Sequence, residues 1–410
     1  MKTQEKFNIV HLSKYYPPYQ GGIETHVQAL AQAQASLGHK VEVICVNGNN
    51  EDGEYSDKTK TVSEYDRNVA ITRLGRVATM ARFDICPELV ARVAEIGSRR
   101  DTVLHLHTPN PMMLLVLANL LRSVPFVITH HSDIVKQKFL KYVLRPFEVL
   151  VYSRSSMVLA TSRNYLDGSK FLNIYKDKVR FLPLGIDTEE FVRPNQDALN
   201  FRDDLRNNYP GPIWLVVGRL VYYKAIHLAT EALCHVPGTL VIVGVGPLER
   251  NLRSLAIELG VDDRIVWLGN ISRNELVGAY HAAKALWFPS NIRSEAFGLV
   301  QVEAMASSCP VINADIPGSG VSWVSRHEIE ALTVPVNDSY ELAKAANRML
   351  EDDRLYSNLV EGSRKRASQF NHMVMASQSI SVYNGVLAQY YGSKNQERIK
   401  SLIPYCDEEA

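Results

Sequence analysis

Two glutamates stand eight positions apart in the stretch SEAFGLVQVEAM, where Glu295 and Glu303 flank a Phe-Gly pair. Carboxylates accept hydrogen bonds from vicinal hydroxyls, so one of them could hold a sugar ring and the other a ribose. Gly298 lies where a helix should begin, so the amides of Phe297, Gly298 and Leu299 could face an anion with the helix dipole behind them. The spacing therefore indicates a site for a nucleotide sugar.

Two other interpretations of the glutamate pair stay open. Glycoside hydrolases use two carboxylates, which stand either ~5 Å or about 6.5 to 9.5 Å apart. The glutamates could also belong to the solvated face of an amphipathic helix. The hydrolase interpretation leaves two cations at a predicted strand end, Arg219 and Lys224, without a task.

These two cations follow a predicted buried strand in VVGRLVYYKAIHLATEAL. A guanidinium and an ammonium at one strand end can hold a diphosphate, because Arg binds phosphate oxygens bidentately and Lys adds a second localised charge. The alternative is a pair of solvated surface charges. Gly246, in the later stretch VIVGVGPLERNL, allows either close approach of a ligand to the backbone or a plain strand-to-helix turn.

The first half of the chain carries a second set of polar residues at predicted strand ends. Gly22 in YYPPYQGGIETHV would let backbone amides face a ligand, unless the glycine only serves the turn. In VITHHSD, His131 could hydrogen-bond a substrate hydroxyl, and Asp133 stands two residues further on. This spacing could suggest a metal site, but the sequence shows no second ligand cluster, HLH at residues 105 to 107 has the alternation of a strand, and no Asp-x-Asp pair occurs. We therefore expect no metal and no cofactor besides a nucleotide-sugar co-substrate.

A basic and apolar helix is predicted after Asp133. Its cations are Lys136, Lys138, Lys141 and Arg145, and aliphatic and aromatic side chains accompany them. Cationic and apolar surface together suits an anionic lipid interface, which would bring the chain to the inner face of the cell membrane. An ordinary amphipathic helix with a solvated basic face is the alternative.

The candidate residues need elements that bring strand ends together. Short β-rich runs alternate with helical patterns in both halves, which predicts an α/β protein with parallel sheets covered by helices. We expect two doubly wound, Rossmann-like domains over residues 1–190 and 212–372, joined by a polar linker at 191–211. A helix at about 373–395 has no strand after it and must dock on an existing surface. In such sheets, ligands bind beyond the carboxyl ends of the strands.

Composition narrows the class of protein. The 410 residues include 45 Lys+Arg and 44 Asp+Glu, so no global field favours a nucleic-acid partner. The five cysteines are scattered and odd in number, which is typical of a reducing compartment. No apolar stretch approaches the ~18 residues of a membrane-spanning helix, so we expect a cytoplasmic chain.

Together these motifs resemble those of the retaining nucleotide-sugar glycosyltransferases of the GT-B type, specifically glycosyltransferase family 4, and in particular its bacterial surface-polysaccharide mannosyltransferases. The resemblance covers nearly the whole chain. It rests on Glu295 and Glu303 at their spacing, on Gly218-Arg219 with Lys224, on GVGP, on PPYQGGIETHV and on the HSD of residues 131 to 133. It implies two Rossmann-like domains facing a central cleft, the first for the acceptor and the second for the nucleotide sugar, with the C-terminal helix crossing back to the first.

The resemblance also implies an activity. The chain would be a metal-independent hexosyltransferase, with GDP-mannose as the first expected donor and a hydroxyl of a lipid-linked glycan or polysaccharide as the acceptor. A UDP-sugar-dependent transferase of the same family and a non-catalytic scaffold that binds nucleotide sugars are the alternatives, since fold alone does not secure activity. One stretch departs from the family pattern, because RHEIEALTV at residues 326 to 334 replaces a glycine-bearing turn.

The resemblance gives roles to the catalytic and donor-binding candidates, and the basic, apolar helix gives the acceptor or membrane role to the rest. The catalytic set would be Arg219 and Lys224 on the diphosphate, Glu295 on the transferred sugar and His131 near the reacting centre. The donor would further contact Gly22, Gly246, Phe297, Gly298, Leu299 and Glu303, the last through the ribose. The acceptor or the membrane would meet Asp133, Lys136, Lys138, Lys141 and Arg145.

Overall fold

The computed structural model describes residues 6–19, 21–48, 58–80, 83–99, 101–120, 124–133 and 138–390. The chain divides into two compact units. The first contains Met1–Gly185 together with His372–Ala410, and the second contains Ile186–Asn371. The C-terminal helix therefore belongs to the first unit, as the resemblance implied.

The first unit is built on a mostly parallel sheet. Its strands, within the described residues, are β1 (Asn8–Leu12), β2 (Lys40–Val46), β3 (Val62–Asp66), β4 (Val69–Leu74), β5 (Ala78–Met80), β6 (Phe83–Ile85), β7 (Thr102–Thr108), β8 (Phe126–His130), β9 (Met157–Ala160) and β10 (Val179–Phe181). Eight of them form one sheet in the order β10-β9-β8-β7-β1-β2-β4-β3, in which only the β3–β4 pair is antiparallel, and β5 and β6 form a separate hairpin. All seven residues of the central strand β7 are buried, as expected for a strand covered on both faces.

The second unit holds a six-stranded, fully parallel sheet. Its strands are β11 (Ile213–Val217), β12 (Thr239–Val243), β13 (Ile265–Gly269), β14 (Ala285–Phe288), β15 (Val311–Asp315) and β16 (Ala331–Pro335), in the order β13-β12-β11-β14-β15-β16. Trp214 on β11 and Trp287 on β14 are both fully buried and stack with ring centres 5.1 Å apart. Aromatic pairs in this geometry are favourable beyond the area that they bury, so the two strands that precede the candidate site are firmly packed.

Helices complete both units. In chain order, within the described residues, they are α1 (Gly22–Ser36), α2 (Glu88–Gly97), α3 (Pro111–Leu120), α4 (Lys138–Arg154), α5 (Arg163–Asp167), α6 (Glu189–Val192), α7 (Gln196–Asn208), α8 (Ile226–Ala232), α9 (Glu249–Glu258), α10 (Arg273–Ala282), α11 (Leu299–Ala306), α12 (Val321–Val324), α13 (Ser339–Glu351), α14 (Asp353–Ala367) and α15 (His372–Tyr390). Leu30 of α1 and Ile380 of α15 are both buried in the core that also contains Val43 of β2. Burial of its apolar side chains on the first unit is what holds the strandless C-terminal helix there.

Some elements differ from the expectation. Helix α7 occupies residues that we expected to form a linker, with the Asn195 side chain accepting a hydrogen bond from the amide of Ala198 at the helix start. The sequence did not predict this helix because it is mostly polar, and only a narrow stripe with Ala198 and Leu205 is buried. Strands β3 and β16 were also not anticipated; β3 is an edge strand whose residues are all partly or fully exposed.

Candidate functional site

The strand order reverses at one point in each sheet. In the second unit, β11 lies between β12 and β14, and in the first unit β1 lies between β2 and β7. In doubly wound sheets, ligands bind beyond the carboxyl ends of the two neighbouring strands at which the order reverses, where the loops after these strands separate. The loops after β11 and β14 carry Arg219, Lys224 and Glu295, so the topology gathers these sequence-predicted residues at one edge of the second sheet.

Lys224 and Glu295 form an ion pair at this edge. The ammonium nitrogen of Lys224 lies 2.6 Å from Oε2 of Glu295, with only 13% and 12% of the two side chains exposed. The Ser290 hydroxyl donates to the same oxygen over 3.2 Å. The ring of Phe288, whose centre is 4.8 Å from the Lys224 nitrogen, backs the pair. Both predicted residues are therefore held in one small polar group, to which Ser290 is an addition that the sequence did not indicate.

Gly298 caps helix α11 in the left-handed region, with a φ of 78°. A Cβ atom there would lie 2.7 Å from the Phe288 ring, so both the backbone conformation and the space require glycine. Leu299 is the first helical residue, and the buried ring of Phe297 packs on Phe370 with centres 5.6 Å apart. The predicted helix start at Gly298 is present, and Phe297 anchors the turn in the core.

Arg219 and Gly246 lie in two loops that are joined by backbone hydrogen bonds. The amide of Leu220 donates to the carbonyl of Val245 over 3.0 Å, and the amide of Leu248 donates to the carbonyl of Leu220 over 3.1 Å. A Cβ atom on Gly246 would lie 2.5 Å from the Leu220 carbonyl oxygen. Close packing of the two loops therefore accounts for Gly246, whereas the side chain of Arg219 is exposed and forms no ion pair within the described part of the chain.

Glu303 is buried and held by two side chains. The Tyr280 hydroxyl donates to its Oε2 over 2.8 Å, and Nη1 of Arg273 lies 3.1 Å from its Oε1. Arg273 also pairs with Glu190 at 2.5 Å. The solvated-face interpretation of this glutamate is therefore wrong, because only 7% of the residue is exposed. Sequence reasoning missed Tyr280, Arg273 and Glu190, which lie far from Glu303 in the chain and carry no motif.

The acid–base properties of this group follow from its surroundings. Burial, together with the Glu303 carboxylate, raises the pKa of Tyr280 well above its ordinary value. Burial lowers the pKa of Arg273, but Glu303 and Glu190 more than compensate, so that pKa is raised overall. Tyr280 is thus a fixed hydrogen-bond donor and Arg273 a fixed cation beside the second glutamate.

In the first unit, Gly22 is the first residue of α1 and follows the loop after β1. It is exposed, and a Cβ atom there would meet no atom of the described residues within 4 Å. In contrast to Gly246, packing against neighbouring atoms does not require a glycine at this position. The open space leaves room for a ligand against the start of the helix.

Five buried histidines from β1, α1, β7 and the residue after β8 gather in the first unit: His11, His26, His105, His107 and His131. Nδ1 of His11 lies 3.0 Å from Nε2 of His107, and Nδ1 of His107 lies 3.0 Å from Nε2 of His131. Both ring nitrogens of His26 lack a hydrogen-bond partner within the described residues. Sequence reasoning selected only His131; the alternation of His105 and His107 in HLH was the available signal for the rest.

This cluster corrects one premise of the sequence interpretation. The structure does contain further possible metal ligands near His131, since His26, His107 and His131 offer ring nitrogens within 4.8 Å of one another, as do His11, His105 and His107. However, His107 is hydrogen-bonded to a neighbouring ring at each nitrogen. A cation bound there would have to displace those shared protons, so a metal-independent chain remains our prediction.

Burial keeps these imidazoles neutral. It lowers the pKa of His11 to about 4, although the hydrogen bond that His11 donates to Gln34 opposes the shift, and it lowers the pKa of His26 to about 3. Burial also holds the pKa values of His107 and His131 well below the ordinary value. At neutral pH each ring therefore carries a single proton, and each can both donate and accept one hydrogen bond.

The remaining candidates belong to the stretch after β8. The Asp133 carboxylate has partners inside the protein. Its Oδ1 lies 3.2 Å from Nε2 of His130 and accepts a hydrogen bond from the Ser169 hydroxyl. The Arg145 guanidinium lies 3.9 Å from the centre of the Phe171 ring and 3.6 Å from Glu148.

The three lysines of that stretch fall outside what the structure describes. Lys136 is not among the described residues, and the side chains of Lys138 and Lys141 in α4 are likewise outside them. Among the helices that are described, none combines the length and the apolar character needed to cross a bilayer. The basic character of this helix surface therefore remains a prediction.

Comparison with known proteins supports the interpretation of both units. Residues 20–190 match the family model for Glycosyltransferase Family 4, and residues 197–366 match that for Glycosyl transferases group 1. The chain is 28% identical to O-antigen chain mannosyltransferase C of Escherichia coli, over 94% of this chain and 100% of that protein. It is 30% identical to phosphatidyl-myo-inositol mannosyltransferase of Mycobacterium leprae, over 92% of this chain and 96% of the relative.

A solved structure gives the same result for the fold. The crystal structure of HepE from Anabaena in complex with UDP-glucose superposes with a TM-score of 0.72 at 19% identity, over 92% of this chain and 99% of HepE. The likeness extends over both Rossmann-like units, as the GT-B fold requires. From its family matches, its relatives and its fold, the chain belongs to glycosyltransferase family 4.

Proposed function

We propose that this chain is a retaining, metal-independent transferase that moves a hexose from a nucleotide diphosphate to a hydroxyl of a cell-surface glycan precursor. The observation that carries the proposal is the Lys224–Glu295 pair at the β11/β14 switch point, beside the start of α11 at Gly298. One group matches a diphosphate and the other the hydroxyls of a sugar, at the edge of the sheet where such ligands bind.

The donor is bound by groups of the second unit. Arg219, exposed and without an ion pair in the described residues, together with Lys224, takes the diphosphate, and the amides of Phe297, Gly298 and Leu299 face its charge or the sugar. Cations and a helix start can offset developing charge on the leaving diphosphate, which is why the proposal needs no metal ion. Glu295 accepts hydrogen bonds from the sugar hydroxyls.

Glu303 binds the ribose through the oxygen lone pairs that are not used by its hydrogen bonds within the protein. A carboxylate has about four acceptor sites, and Tyr280 and Arg273 use one on each oxygen. The internal bonds fix the orientation of the carboxylate before the donor arrives. A preoriented acceptor loses less conformational entropy on binding.

The acceptor hydroxyl is met by His131 of the first unit. As a neutral ring, His131 can accept a hydrogen bond from a hydroxyl, whereas a protonated ring could only donate. For Gly22 we retain the contact with the donor that the resemblance implies, since the start of α1 has open space for a ligand.

The relatives guide the choice of donor and acceptor. O-antigen chain mannosyltransferase C and phosphatidyl-myo-inositol mannosyltransferase are both named as mannosyltransferases, and both names point to cell-envelope glycans or lipids as the context of the acceptor. GDP-mannose and a lipid-linked glycan or polysaccharide are therefore the proposed substrates of this chain. HepE was crystallised with UDP-glucose, so a UDP-sugar is the second candidate donor.

The proposal includes contact with an anionic membrane surface at the inner face of the cell membrane. Arg145 already contacts Phe171 and Glu148, which leaves Lys136, Lys138 and Lys141 as the cations to test. Flotation with anionic vesicles should recover the wild type, and reversing the charge of Lys138 and Lys141 should lower that recovery. Equal recovery of both proteins would remove the membrane from the proposal.

Calorimetric titration with a panel of nucleotide sugars tests the donor. We expect GDP-mannose to bind and Lys224→Met to weaken that binding about tenfold or more, since a hydrogen bond to a charged group contributes about 1.5 to 3 kcal/mol. If UDP-sugars bind and GDP-mannose does not, the donor is a UDP-sugar, the second candidate. Binding of no nucleotide sugar would contradict it.

A further inference from the structure

A chain of hydrogen bonds runs from helix α15 to His131. Ser379 of α15 lies 2.8 Å from Nε2 of Gln34, and Oε1 of Gln34 lies 2.8 Å from Nε2 of His11. His11, His107 and His131, here called the histidine chain, follow with 3.0 Å between successive ring nitrogens. All of these residues are buried, so each of their polar groups needs a hydrogen-bond partner.

The backbone of α15 sets the direction of this chain. The Ser379 hydroxyl has a single proton, which it donates to the carbonyl oxygen of Ala376 over 2.7 Å. Toward Gln34 it can therefore only accept, so Gln34 must present its NH2 group to Ser379. The amide oxygen of Gln34 consequently faces His11, so the hydrogen bonds of Ser379 fix the orientation of the amide.

The same reasoning passes from ring to ring. A neutral imidazole has one N–H and one bare nitrogen. His11 must donate from Nε2 to Gln34, so its Nδ1 is bare and accepts from Nε2 of His107. The Nδ1 of His107 is then bare and accepts from Nε2 of His131. This leaves His131 with a protonated Nε2 and a bare Nδ1.

A side branch agrees with this direction. The second N–H of Gln34 points to the Tyr383 hydroxyl over 3.2 Å, and that hydroxyl lies 2.6 Å from Nδ1 of His105. Tyr383 accepts from Gln34 and donates to His105, whose Nε2 then donates to Thr129 over 2.6 Å. In every hydrogen bond of the branch a donor faces an acceptor in the same direction.

We propose that Gln34 is a positioning residue, which through the histidine chain holds His131 in the tautomer with a bare Nδ1. In that tautomer Nδ1 can accept a hydrogen bond from the acceptor hydroxyl and orient it for transfer, a step that rests on the proposed function. In the opposite tautomer Nδ1 would carry a proton and could not accept. Gln34 acts through other residues and need not touch substrate.

Nitrogen NMR of the full chain, with 15N-labelled histidine and no substrate, tests the tautomers directly. Bare and protonated ring nitrogens resonate in well-separated regions, and assignment uses single histidine substitutions. We expect a protonated Nε2 and a bare Nδ1 at His11, His107 and His131. A protonated Nδ1 at His131 in the wild type would overturn the inference, whatever the activity of the protein.

Variants at position 34 test the cause. Gln34→Met keeps the side-chain length but removes the acceptor of His11, so the histidine chain can reverse, and His131 should show a mixture of tautomers. The kcat for transfer should fall about tenfold, which is the loss of roughly one hydrogen bond, with the KM for the donor unchanged.

Gln32→Met is the matched control, because Gln32 lies on the same helix but bonds to Asp66. It should leave both the tautomers and the kcat as in the wild type. Wild-type tautomers in a folded Gln34→Met protein would overturn the inference. If wild-type His131 has a bare Nδ1 but the protein transfers no sugar, the inference is supported and the proposed function is contradicted. The NMR and activity measurements therefore test the two proposals independently.

Discussion

The ammonium of Lys224 lies 2.6 Å from the carboxylate of Glu295, where the loops after β11 and β14 diverge. The pair stands on Phe288, and the same ring would collide with any side chain at position 298. One buried aromatic ring thus supports both the charged pair and the start of α11. This compact arrangement leads to predictions that separate chemistry from packing.

Glu295→Gln should lower transfer about 100-fold, because a preorganised charge at the reacting sugar is lost while the size of the side chain is kept. The transfer rate is measured as the release of nucleotide with saturating donor and acceptor. Glu341→Gln is the control: Glu341 pairs with Lys344 at 3.2 Å on the exposed surface of α13, and its loss should leave the rate unchanged. A Glu295→Gln rate within about threefold of wild type would exclude a catalytic role for this carboxylate.

Gly298→Ala should destabilise the fold more than an ordinary left-handed glycine does. Gly260→Ala is the matched comparison, since Gly260 has a φ of 67° and a Cβ there meets no described residue within 4 Å. The left-handed conformation costs an alanine about 1 to 2 kcal/mol at either position. At position 298 the collision with Phe288 should add about 1 kcal/mol or more. Urea unfolding measures the loss of stability in both variants. Equal losses would show that the Phe288 ring moves aside at no extra cost.

Tyr280→Phe should raise the KM for the donor. The change leaves Oε2 of buried Glu303 without its donor, which costs about 1 to 3 kcal/mol and frees the carboxylate to rotate. If Glu303 binds the ribose, the KM should rise about tenfold with little change in kcat. Tyr356→Phe removes a comparable hydroxyl, which donates to the Lys284 carbonyl, and should not alter the KM. A wild-type KM in Tyr280→Phe would argue that Glu303 serves only the fold.

The buried histidines should make the protein sensitive to acid. Their pKa values are lowered in the folded state, to about 4 for His11 and about 3 for His26, from 6.5. Below pH 6.5 the unfolded chain takes up protons that the folded chain does not. The free energy of unfolding is therefore highest above pH 6.5 and falls as the pH drops toward 4, by up to about 1.4 kcal/mol per pH unit for each such histidine.

His26→Leu tests the sign of this dependence. It removes one site of proton uptake and two ring nitrogens that have no partner in the described part of the chain, so the fall of stability between pH 6.5 and 4 should become shallower. His227→Leu, at an exposed position on α8, should leave the slope as in the wild type. Denaturant unfolding at several pH values measures both. A slope that steepens in His26→Leu would contradict the assignment of a neutral buried ring.

Local patterns predicted much of the fold, and long-range contacts explain what they missed. The apolar run ALWFPS and the glycine after Phe297 indicated β14 and the start of α11, because strand and cap signals lie within a few residues of each other. Tyr280 and Arg273 escaped notice because nothing near them in the sequence signals the carboxylate at position 303.

The histidines of the first unit illustrate the same limit. His131 was selected from its strand end, but its partners come from β1, α1 and β7, which only the sheet order brings together. The helix α7 was missed for the opposite reason, since its polar face resembles a linker. Periodicity detects burial on one face of an element and does not report which distant side chain meets it.

The central claim is that the second unit uses Lys224 and Glu295 to transfer a sugar from a nucleotide diphosphate. The most direct measurement is the time course of GDP and glycosylated product formed from GDP-mannose and a lipid-linked glycan acceptor, with EDTA present, for the wild type and Lys224→Met. We predict that GDP and product appear together with the wild type and at least about 100 times more slowly with Lys224→Met. Equal rates for the two proteins, or no turnover of any nucleotide sugar by the wild type, would contradict the account.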